Sequence, residues 1–265
     1  MRITVKLGGS ILEEFSVRTA ILSQVSGIAA LGHEVILVHG GGKSLNRRLS
    51  QMQIESRFTE GLRVTDAETL QAAVMVLAGE VNKKIVSEMN HSTACAVGIC
   101  GADAGAVRCI RLEDLPNSPT GIGFVGKPSE VNRSFFDRAF DAGWIPVVSS
   151  IALGPGGQLY NVNADQMASA CAYGAGCTSL VYLTDVEGVK DGNGLVLRDL
   201  KQSDIETLRS RGIIKGGMLP KTTSCLEAIA AGVRDALILP GSEPDILMQF
   251  INGTLTGGTH IHGYR

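Results

Sequence analysis

A strand that ends in glycines occurs twice at the start of the chain, as ITVKLGG at residues 3–9 and EVILVHGGG at residues 34–42. Between them, from about 13 to 31, apolar residues recur at helical spacing, and Gly32 follows as a helix-ending glycine. Two buried strands joined by one helix are typical of a parallel βαβ unit. The opening of the chain therefore predicts an α/β fold.

The alternation of strands and helices continues and extends the predicted sheet. Further strands are predicted at 94–99, 145–149, 179–184, 235–239 and 259–261, and helices at 65–78, 80–90, 133–142, 164–175, 203–211, 218–231 and 244–251. Residues 100–132 alternate short β-like pieces with glycine and proline turns, which predicts an antiparallel excursion from the sheet. GPGG at 154–157 predicts a hairpin turn.

Composition excludes several classes of protein. The 265 residues carry 24 Lys+Arg and 26 Asp+Glu, a net charge of −2, so a basic nucleic-acid-binding protein is disfavoured. Six cysteines without a C-x-x-C pair argue against a zinc ribbon and favour buried thiols in a reducing compartment. No apolar run reaches the roughly 18 residues of a membrane helix, and no signal peptide is recognisable, so we expect a cytoplasmic protein.

Two lysines lie close to glycine pairs. Lys6 is inside an apolar strand just before Gly8, and Lys221 follows Gly217 in the first turn of a predicted helix. A buried lysine, or a lysine at a helix N-terminus, is best explained by a nearby anion, although a solvated lysine on an edge strand remains an alternative for Lys6. GGGKS at 40–44 resembles the end of a P-loop, but Leu37 occupies the position of its first glycine, which disfavours a P-loop kinase.

Polar residues suited to an anionic ligand occur further along. Arg63 precedes a capped helix, where its guanidinium could grip a carboxylate through two hydrogen bonds. NVNAD at 161–165 opens a helix of small residues, and Asn161 or Asn163 either caps that helix or contacts a ligand. His39 is either a base or a histidine satisfied within its turn. Together these residues favour a phosphorylated nucleotide beside a carboxylate acceptor, which is already ionised at pH 7 and needs no general base.

Seven motifs in one order carry a family resemblance. They are KLGGS at 6–10, VHGGG at 38–42, GLRVTD at 61–66, PVVSSI at 146–151, NVNAD at 161–165, LTDVEGV at 183–189 and KGGMLPK at 215–221. The ordered set resembles the amino acid kinase family, most closely its branch that phosphorylates N-acetylglutamate. The resemblance implies a three-layer sandwich around an open, mainly parallel sheet. It implies one domain over 1–265, with a lobe to about 152 for the acyl amino acid and dimerisation, and a lobe from about 153 for ATP.

The resemblance also implies site residues. The catalytic set would be Lys6, Lys221 and Asp165, with the lysines stabilising the γ-phosphoryl group and the aspartate orienting them. The acceptor would be bound by Gly41, Gly42, Arg63 and Asn161. The nucleotide would be bound by Gly8, Gly9, Thr184, Asp185, Gly188 and Gly217, with the glycine N–H groups donating to phosphate. Mg²⁺ would arrive with ATP and need no protein ligand cluster, and HIH at 260–262 is interpreted as a terminal strand rather than a metal site.

The activity implied by the resemblance is ATP-dependent phosphorylation of the γ-carboxylate of N-acetyl-L-glutamate, the second step of arginine biosynthesis. Two alternatives stay open: a kinase for carrier-protein-bound α-aminoadipate or glutamate in lysine biosynthesis, and a non-catalytic nucleotide-binding relative. The carrier-linked alternative would use a basic surface, for which Arg108, Arg111 and Lys127 are candidates. Because the first strand begins near residue 3, we expect a homodimer with little arginine feedback, and no nucleic-acid or membrane partner.

Overall fold

A computed structural model describes residues 1–91 and 94–263. The fourteen strands in the described residues are β1 Arg2–Leu7, β2 Glu34–His39, β3 Phe58–Thr59, β4 Leu62–Arg63, β5 Ala96–Ile99, β6 Val107–Arg111, β7 Val125–Val131, β8 Ile145–Ser149, β9 Ile151–Leu153, β10 Leu159–Val162, β11 Ser179–Thr184, β12 Asp199–Leu200, β13 Asp235–Pro240 and β14 Thr259–His262. Eight of them form one sheet in the order β12-β14-β13-β11-β1-β2-β8-β5.

The large sheet is parallel from β5 to β13, and β14 pairs antiparallel to β13 at one side. Side chains alternate between its faces, so each strand contributes to two apolar cores. In β2, for example, Val35 and Leu37 enter one core, while Ile36 and Val38 enter the other. Helices cover both faces, which confirms the predicted three-layer α/β sandwich with a mainly parallel sheet.

Ten α-helices lie in the described residues: α1 Gly9–Glu13, α2 Phe15–Ala30, α3 Gly42–Gln51, α4 Ala67–Ala73, α5 Asn82–Asn90, α6 Arg133–Asp141, α7 Ala164–Gly174, α8 Gln202–Ser210, α9 Met218–Ala230 and α10 Ile246–Asn252. The helix predicted at about 13–31 is present as α2, and a short helix that was not predicted, α1, precedes it and ends before the extended Glu14. One prediction was wrong in detail. The helices expected at 65–78 and 80–90 are one continuous rod, because a π-helical segment, Val74–Val81, joins α4 to α5.

A second, smaller sheet contains four strands. Its strands β10, β7, β6 and β9 close into a four-stranded ring. The antiparallel excursion predicted for 100–132 is present as the β6–β7 pair, and the predicted hairpin turn at 154–157 joins β9 to β10. The ring carries Asn161 at the position where β10 leads into α7.

Three parallel strands bring polar groups to one edge of the large sheet. β1 ends in Lys6 and Leu7, β2 ends in His39, and β11 ends in Thr184. Because the strands are parallel neighbours, the glycine loops that follow them lie side by side, which is where open α/β sheets bind ligands. None of the helices in the described parts of the chain is both long enough and apolar enough to cross a membrane.

Candidate active site

One aspartate joins the two lysines that the sequence singled out. Lys6 Nζ lies 2.6 Å from Asp165 Oδ1, and Lys221 Nζ donates to Asp165 Oδ2 over 3.0 Å. Lys6 and Asp165 are buried, while 18% of the Lys221 side chain is exposed. The three side chains form a lysine–aspartate–lysine triad with one net positive charge, open to solvent on the Lys221 side.

Burial and charge oppose one another in this triad. Burial lowers the pKa of Lys6, and the Lys221 ammonium lowers it further, against the opposing effect of Asp165. Burial alone would raise the pKa of Asp165, but the two ammonium groups outweigh it and hold that pKa below its usual value. The carboxylate therefore stays ionised near neutral pH, and its charge opposes the lowering of the Lys6 pKa by burial.

Local structure fixes each member of the triad. Alternation along β1 turns Lys6 toward α7, whose first turn contains Asp165. Asn163 caps α7 by accepting from the backbone N–H of Asp165 over 2.8 Å, and the buried Tyr182 hydroxyl donates to the Asp165 carbonyl over 2.9 Å. Small residues let α9 pack closely on α7, where the Ser169 hydroxyl donates to a backbone carbonyl of α9 over 3.0 Å. The cap interpretation of NVNAD therefore holds for Asn163.

The glycine loops have different constraints. Gly41 has φ 156°, and a Cβ there would lie 2.7 Å from Leu77 Cδ2, so only glycine fits. At Gly8 a Cβ would lie 2.9 Å from the Leu183 carbonyl oxygen, and the Gly8 N–H donates to that same oxygen over 3.0 Å. Gly8 was expected to donate to phosphate. That expectation was wrong, because its N–H is already used to hold the β1 loop against β11.

A cleft of about 420 Å³ runs from Lys6 to Arg63, and we call it the first cleft. Its lining residues are Lys6, Gly9, Gly40, Gly41, Gly42, Lys43, Leu45, Asn46, Phe58, Gly61, Leu62, Arg63, Leu77, Val125, Ser150, Asn161, Val162, Asn163 and Ala164. Three of these side chains are cations. No carboxylate occurs among the lining residues in the described parts of the chain, so the first cleft is suited to an anion.

Arg63 is held in place without a charged partner. Its guanidinium donates to Asn46 Oδ1 over 2.6 Å and to Ser56 Oγ over 2.8 Å, and it lies 4.7 Å from the centre of the Phe58 ring. Both of these hydrogen-bond acceptors are neutral, no carboxylate pairs with Arg63 within the described ranges, and burial lowers its pKa. Asn161 Nδ2 donates to Thr65 Oγ1 over 3.1 Å beside it. An arginine fixed by neutral oxygens is ready to receive a carboxylate.

His39 holds the glycine loop in place by hydrogen bonds to Gly40 and Asn82. Its Nδ1 lies 2.7 Å from the Gly40 carbonyl oxygen and therefore donates, and its Nε2 accepts from the Asn82 amide over 3.0 Å. The same amide donates to the Val147 carbonyl over 2.9 Å. Burial lowers the pKa of His39 to about 4. This is a neutral histidine satisfied within its turn, with no nitrogen left to act as a base.

A second cleft, of about 470 Å³, lies beyond the triad. Its lining residues are Asp185, Val186, Glu187, Gly188, Val189, Lys190, Asp191, Ile213, Ile214, Lys215 and Met218. Gly188 has φ 145°, and a Cβ there would lie 2.7 Å from Thr259 Oγ1. Thr184 contributes indirectly, by donating to Asp185 Oδ1 over 3.2 Å.

The structure therefore divides the predicted site residues among three groups. Lys6, Asp165 and Lys221 form the triad; Gly9, Gly41, Gly42, Arg63 and Asn161 line the first cleft; and Asp185 and Gly188 line the second. Gly8, Thr184 and Gly217 support these groups from adjacent positions without lining either cleft in the described structure. Sequence reasoning missed Asn46 and Tyr182. Asn46 follows Gly42 by one helical turn, and this spacing could have placed it at the same ligand site. No pattern in the sequence around Tyr182 indicates its contact with Asp165.

Comparison with known proteins identifies the family of the chain. A sequence model of the amino acid kinase family matches residues 1–240. Acetylglutamate kinase from Acidiphilium cryptum (strain JF-5) is 42% identical over 98% of this chain and 89% of its own, and that from Acidobacterium capsulatum is 41% identical over 98% of this chain and 99% of its own. The structure of smu.665 from Streptococcus mutans UA159 matches with a TM-score of 0.83 at 25% identity, over 99% of each chain.

The three-layer fold and the matching family model define the class of protein: the chain belongs to the amino acid kinase family. Within that family, the curated relatives it resembles at about 40% identity along nearly its whole length are acetylglutamate kinases. The resemblance drawn from the sequence motifs is confirmed.

Proposed function

We propose that this protein is an acetylglutamate kinase, which transfers the γ-phosphoryl group of ATP to the γ-carboxylate of N-acetyl-L-glutamate in the second step of arginine biosynthesis. The observation that carries the proposal is the first cleft, where three cationic side chains and no carboxylate among the described lining residues lead to the Lys6–Asp165 pair. An acceptor with two carboxylates matches this charge. The full-length similarity to acetylglutamate kinases supports the same conclusion.

Arg63 and Asn161 are proposed to bind the α-carboxylate side of the acceptor. Arg63 is already oriented by Asn46 and Ser56, so little rotamer freedom remains to be lost on binding. Apolar side chains on the same cleft wall, Leu62 and Leu77, are suited to the methylene chain and the acetyl methyl group. The γ-carboxylate then points toward Lys6 and the loop amides at Gly41 and Gly42, which open α3 and lack acceptors within the helix.

In the proposed transfer, a γ-carboxylate oxygen attacks the γ-phosphorus of ATP, and the bond from that phosphorus to the bridging oxygen of ADP breaks. No proton is moved, because the attacking carboxylate is ionised, with a pKa of about 4. Lys6 and Lys221 neutralise the charge on the moving phosphoryl group, and Asp165 holds both ammonium groups at fixed positions.

The second cleft is proposed to hold the nucleoside part of ATP. Its acidic side chains are suited to accept from ribose hydroxyl groups rather than to attract phosphate. Hydrogen bonds from Ser10 and Thr184 outweigh burial and lower the pKa of Asp185, so that carboxylate is ionised. Both Asp165 oxygens are taken by lysines, so Mg²⁺ would be held mainly by phosphate oxygens with Asp185 as the available carboxylate; bound there, it would neutralise phosphate charge.

The lobe assignments and assembly are part of the same proposal. Residues to about 152 would bind the acceptor and residues from about 153 the nucleotide, in a cytoplasmic homodimer with little arginine feedback. β5, Ala96–Ile99, lies at the outer edge of the large sheet, where a second copy could add its own strand. Measurement of the molecular mass in solution, with and without arginine, tests the oligomeric state and whether arginine changes it.

The proposed activity is tested by ADP release with Mg-ATP and three acceptors: N-acetylglutamate, glutamate and N-acetyl-α-aminoadipate. Hydroxylamine traps the acyl phosphate. We expect turnover on N-acetylglutamate, with trapped hydroxamate equal to the ADP formed. Turnover on N-acetyl-α-aminoadipate alone would indicate instead a kinase of carrier-linked lysine biosynthesis. Folded protein that binds ATP but turns over none of the three would contradict the kinase proposal.

A further inference from the structure

Two histidines and two aspartates share one face of the sheet at its β12–β14–β13 side. Asp199 on β12 is the parallel partner of His260, and Asp235 on β13 is the antiparallel partner of His262. Directly paired residues point to the same face of a sheet. The intervening Ile261 points the other way, into the core with its partners Leu200 and Ala236.

The side-chain contacts run diagonally across this face. His260 Nε2 lies 3.0 Å from Asp235 Oδ1, and His262 Nε2 lies 2.8 Å from Asp199 Oδ1. The two imidazole rings lie against each other, with their centres 3.7 Å apart and their planes tilted by 39°. One ligand atom from each of Asp199, His260 and His262 lies within 4.8 Å of the other two. Among the described residues, this is the one group of three or more histidines, cysteines or carboxylates with that spacing.

The position of Asp235 matches an outer-shell carboxylate. Its Oδ2 accepts from Arg234 Nε over 2.7 Å and its Oδ1 faces His260, so both oxygens are engaged. Histidines that bind a metal through one ring nitrogen usually donate the other N–H to such a carboxylate, which fixes the ring and its tautomer. Asp199 has no comparable second partner in the described structure, and most of its side chain is exposed, so it is available as a ligand.

We propose that Asp199, His260 and His262 form a surface site for one divalent transition-metal ion, Zn²⁺ being the best match. Two imidazoles and one carboxylate are ligands that Zn²⁺ accepts, with water completing a tetrahedron. Imidazole nitrogen disfavours Mg²⁺ and Ca²⁺. The ion would replace the proton between His262 and Asp199, whose contact must widen by only about half an ångström to reach tetrahedral ligand spacing. The strand predicted for HIH is confirmed as β14, and the proposed metal site goes beyond that prediction.

Metal at this site would link β12 directly to β14. Thr259, next to His260, points to the opposite face, where its hydroxyl accepts from the Val189 N–H over 2.8 Å and donates to the Leu197 carbonyl over 2.7 Å. Those contacts hold the segment that lines the second cleft. The proposed ion therefore fastens the strand on which that segment rests, without entering the cleft, and the inference stands independently of the proposed kinase activity.

The test is Zn²⁺ titration of tag-free, chelator-stripped, full-length protein without ATP, followed by calorimetry or by competition with a chromophoric chelator. We expect one Zn²⁺ per chain and no binding of Mg²⁺. His262→Ala and His260→Ala should each weaken Zn²⁺ binding at least tenfold, and Asp235→Asn by about tenfold through the outer shell. Anomalous diffraction at the zinc edge should locate the ion between β12 and β14.

Control variants test whether Zn²⁺ binds at this site or at other histidine and cysteine side chains on the surface. His33 contacts the amino terminus and Cys95 is an exposed thiol, so His33→Ala and Cys95→Ser should leave the Zn²⁺ affinity unchanged. His262→Gln, which keeps size and polarity, guards against a folding defect in His262→Ala, and circular dichroism checks each variant. Retention of one Zn²⁺ per chain in the His260→Ala, His262→Ala double variant would overturn the proposal, as would absence of binding to the unmodified chain.

Discussion

The two clefts differ in charge and in how firmly their side chains are held. The first cleft presents Lys6, Lys43 and Arg63 with no carboxylate among its described lining residues, whereas the second presents three carboxylates and two lysines. Arg63 is buried and fixed by two neutral oxygens, while Glu187 in the second cleft is exposed. Under the proposed assignment of the clefts, selection of the acceptor rests on fixed side chains, whereas nucleotide binding depends more on backbone and loop shape.

The triad between the clefts should give the largest effect. Lys221→Ala is expected to lower kcat by about 10²–10³-fold with little change in the KM for ATP, because an interaction made mainly in the transition state is lost. Lys6→Met should act similarly. Asp165→Asn should also move the alkaline limb of the kcat profile to lower pH, since the carboxylate raises the pKa of Lys6. Steady-state ADP release measures all three.

Lys215→Ala is the matched control for the triad variants. Lys215 lies in the second cleft, close to Lys221 in sequence but outside the triad. Its removal should leave kcat within about threefold of the parent, since an exposed charge contributes little. If Lys221→Ala kept the kcat of the parent, Lys221 would have no part in phosphoryl transfer, and the proposed catalytic triad would be wrong.

Buried His39, which contacts the Gly40 carbonyl behind the first cleft, should make folding stability depend on pH. Burial lowers the pKa of His39 from 6.5 to about 4, so the unfolded chain binds a proton that the folded chain refuses. Its contribution is complete above pH 6.5 and is lost as pH falls toward 4. At about 1.4 kcal/mol per pKa unit, the loss reaches about 3 kcal/mol. Urea unfolding between pH 7.5 and 4.5 measures this slope.

His39→Asn and His39→Gln keep a polar group in the turn but remove the titration. Both should flatten the decline in unfolding free energy between pH 6.5 and 4.5, relative to the unmodified chain. The exposed His91 supplies the control, because His91→Asn should leave the slope unchanged. If the His39 variants showed the same pH dependence of the unfolding free energy as the unmodified chain, other groups would cause the loss of stability in acid.

Arg63 tests whether the acceptor cleft is as selective as its geometry suggests. Arg63→Lys is expected to raise the KM for N-acetylglutamate by about 10–100-fold while leaving the KM for ATP nearly unchanged, because a lysine cannot reproduce the two-pronged contact with a carboxylate. Arg57→Lys, on an exposed position nearby, is the control. Equal changes in both KM values would show that the two clefts are not independent.

More of the fold than of the candidate site could be predicted from the sequence. Strand alternation and glycines at strand ends revealed β1 and β2, because those signals are local. The short helix α1 was missed, because its five residues are too few to show a helical period. The use of the Gly8 N–H by Leu183, and of the Tyr182 hydroxyl by α7, depends on contacts between distant parts of the chain. Sequence alternation put His260 and His262 on one face but could not bring Asp199 beside them.

The smallest effect is expected at the exposed ion pair of the second cleft. Glu187 Oε2 lies 2.8 Å from Lys190 Nζ, and this contact lowers the pKa of Glu187, yet both side chains are solvated. Glu187→Gln should therefore change the KM for ATP less than twofold, as measured by ADP release at saturating acceptor. Gly188→Ala in the same cleft should do more, because φ 145° and Thr259 exclude a Cβ. A larger effect from Glu187→Gln than from Gly188→Ala would reverse the comparison, since side-chain charge rather than backbone shape would then govern nucleotide binding.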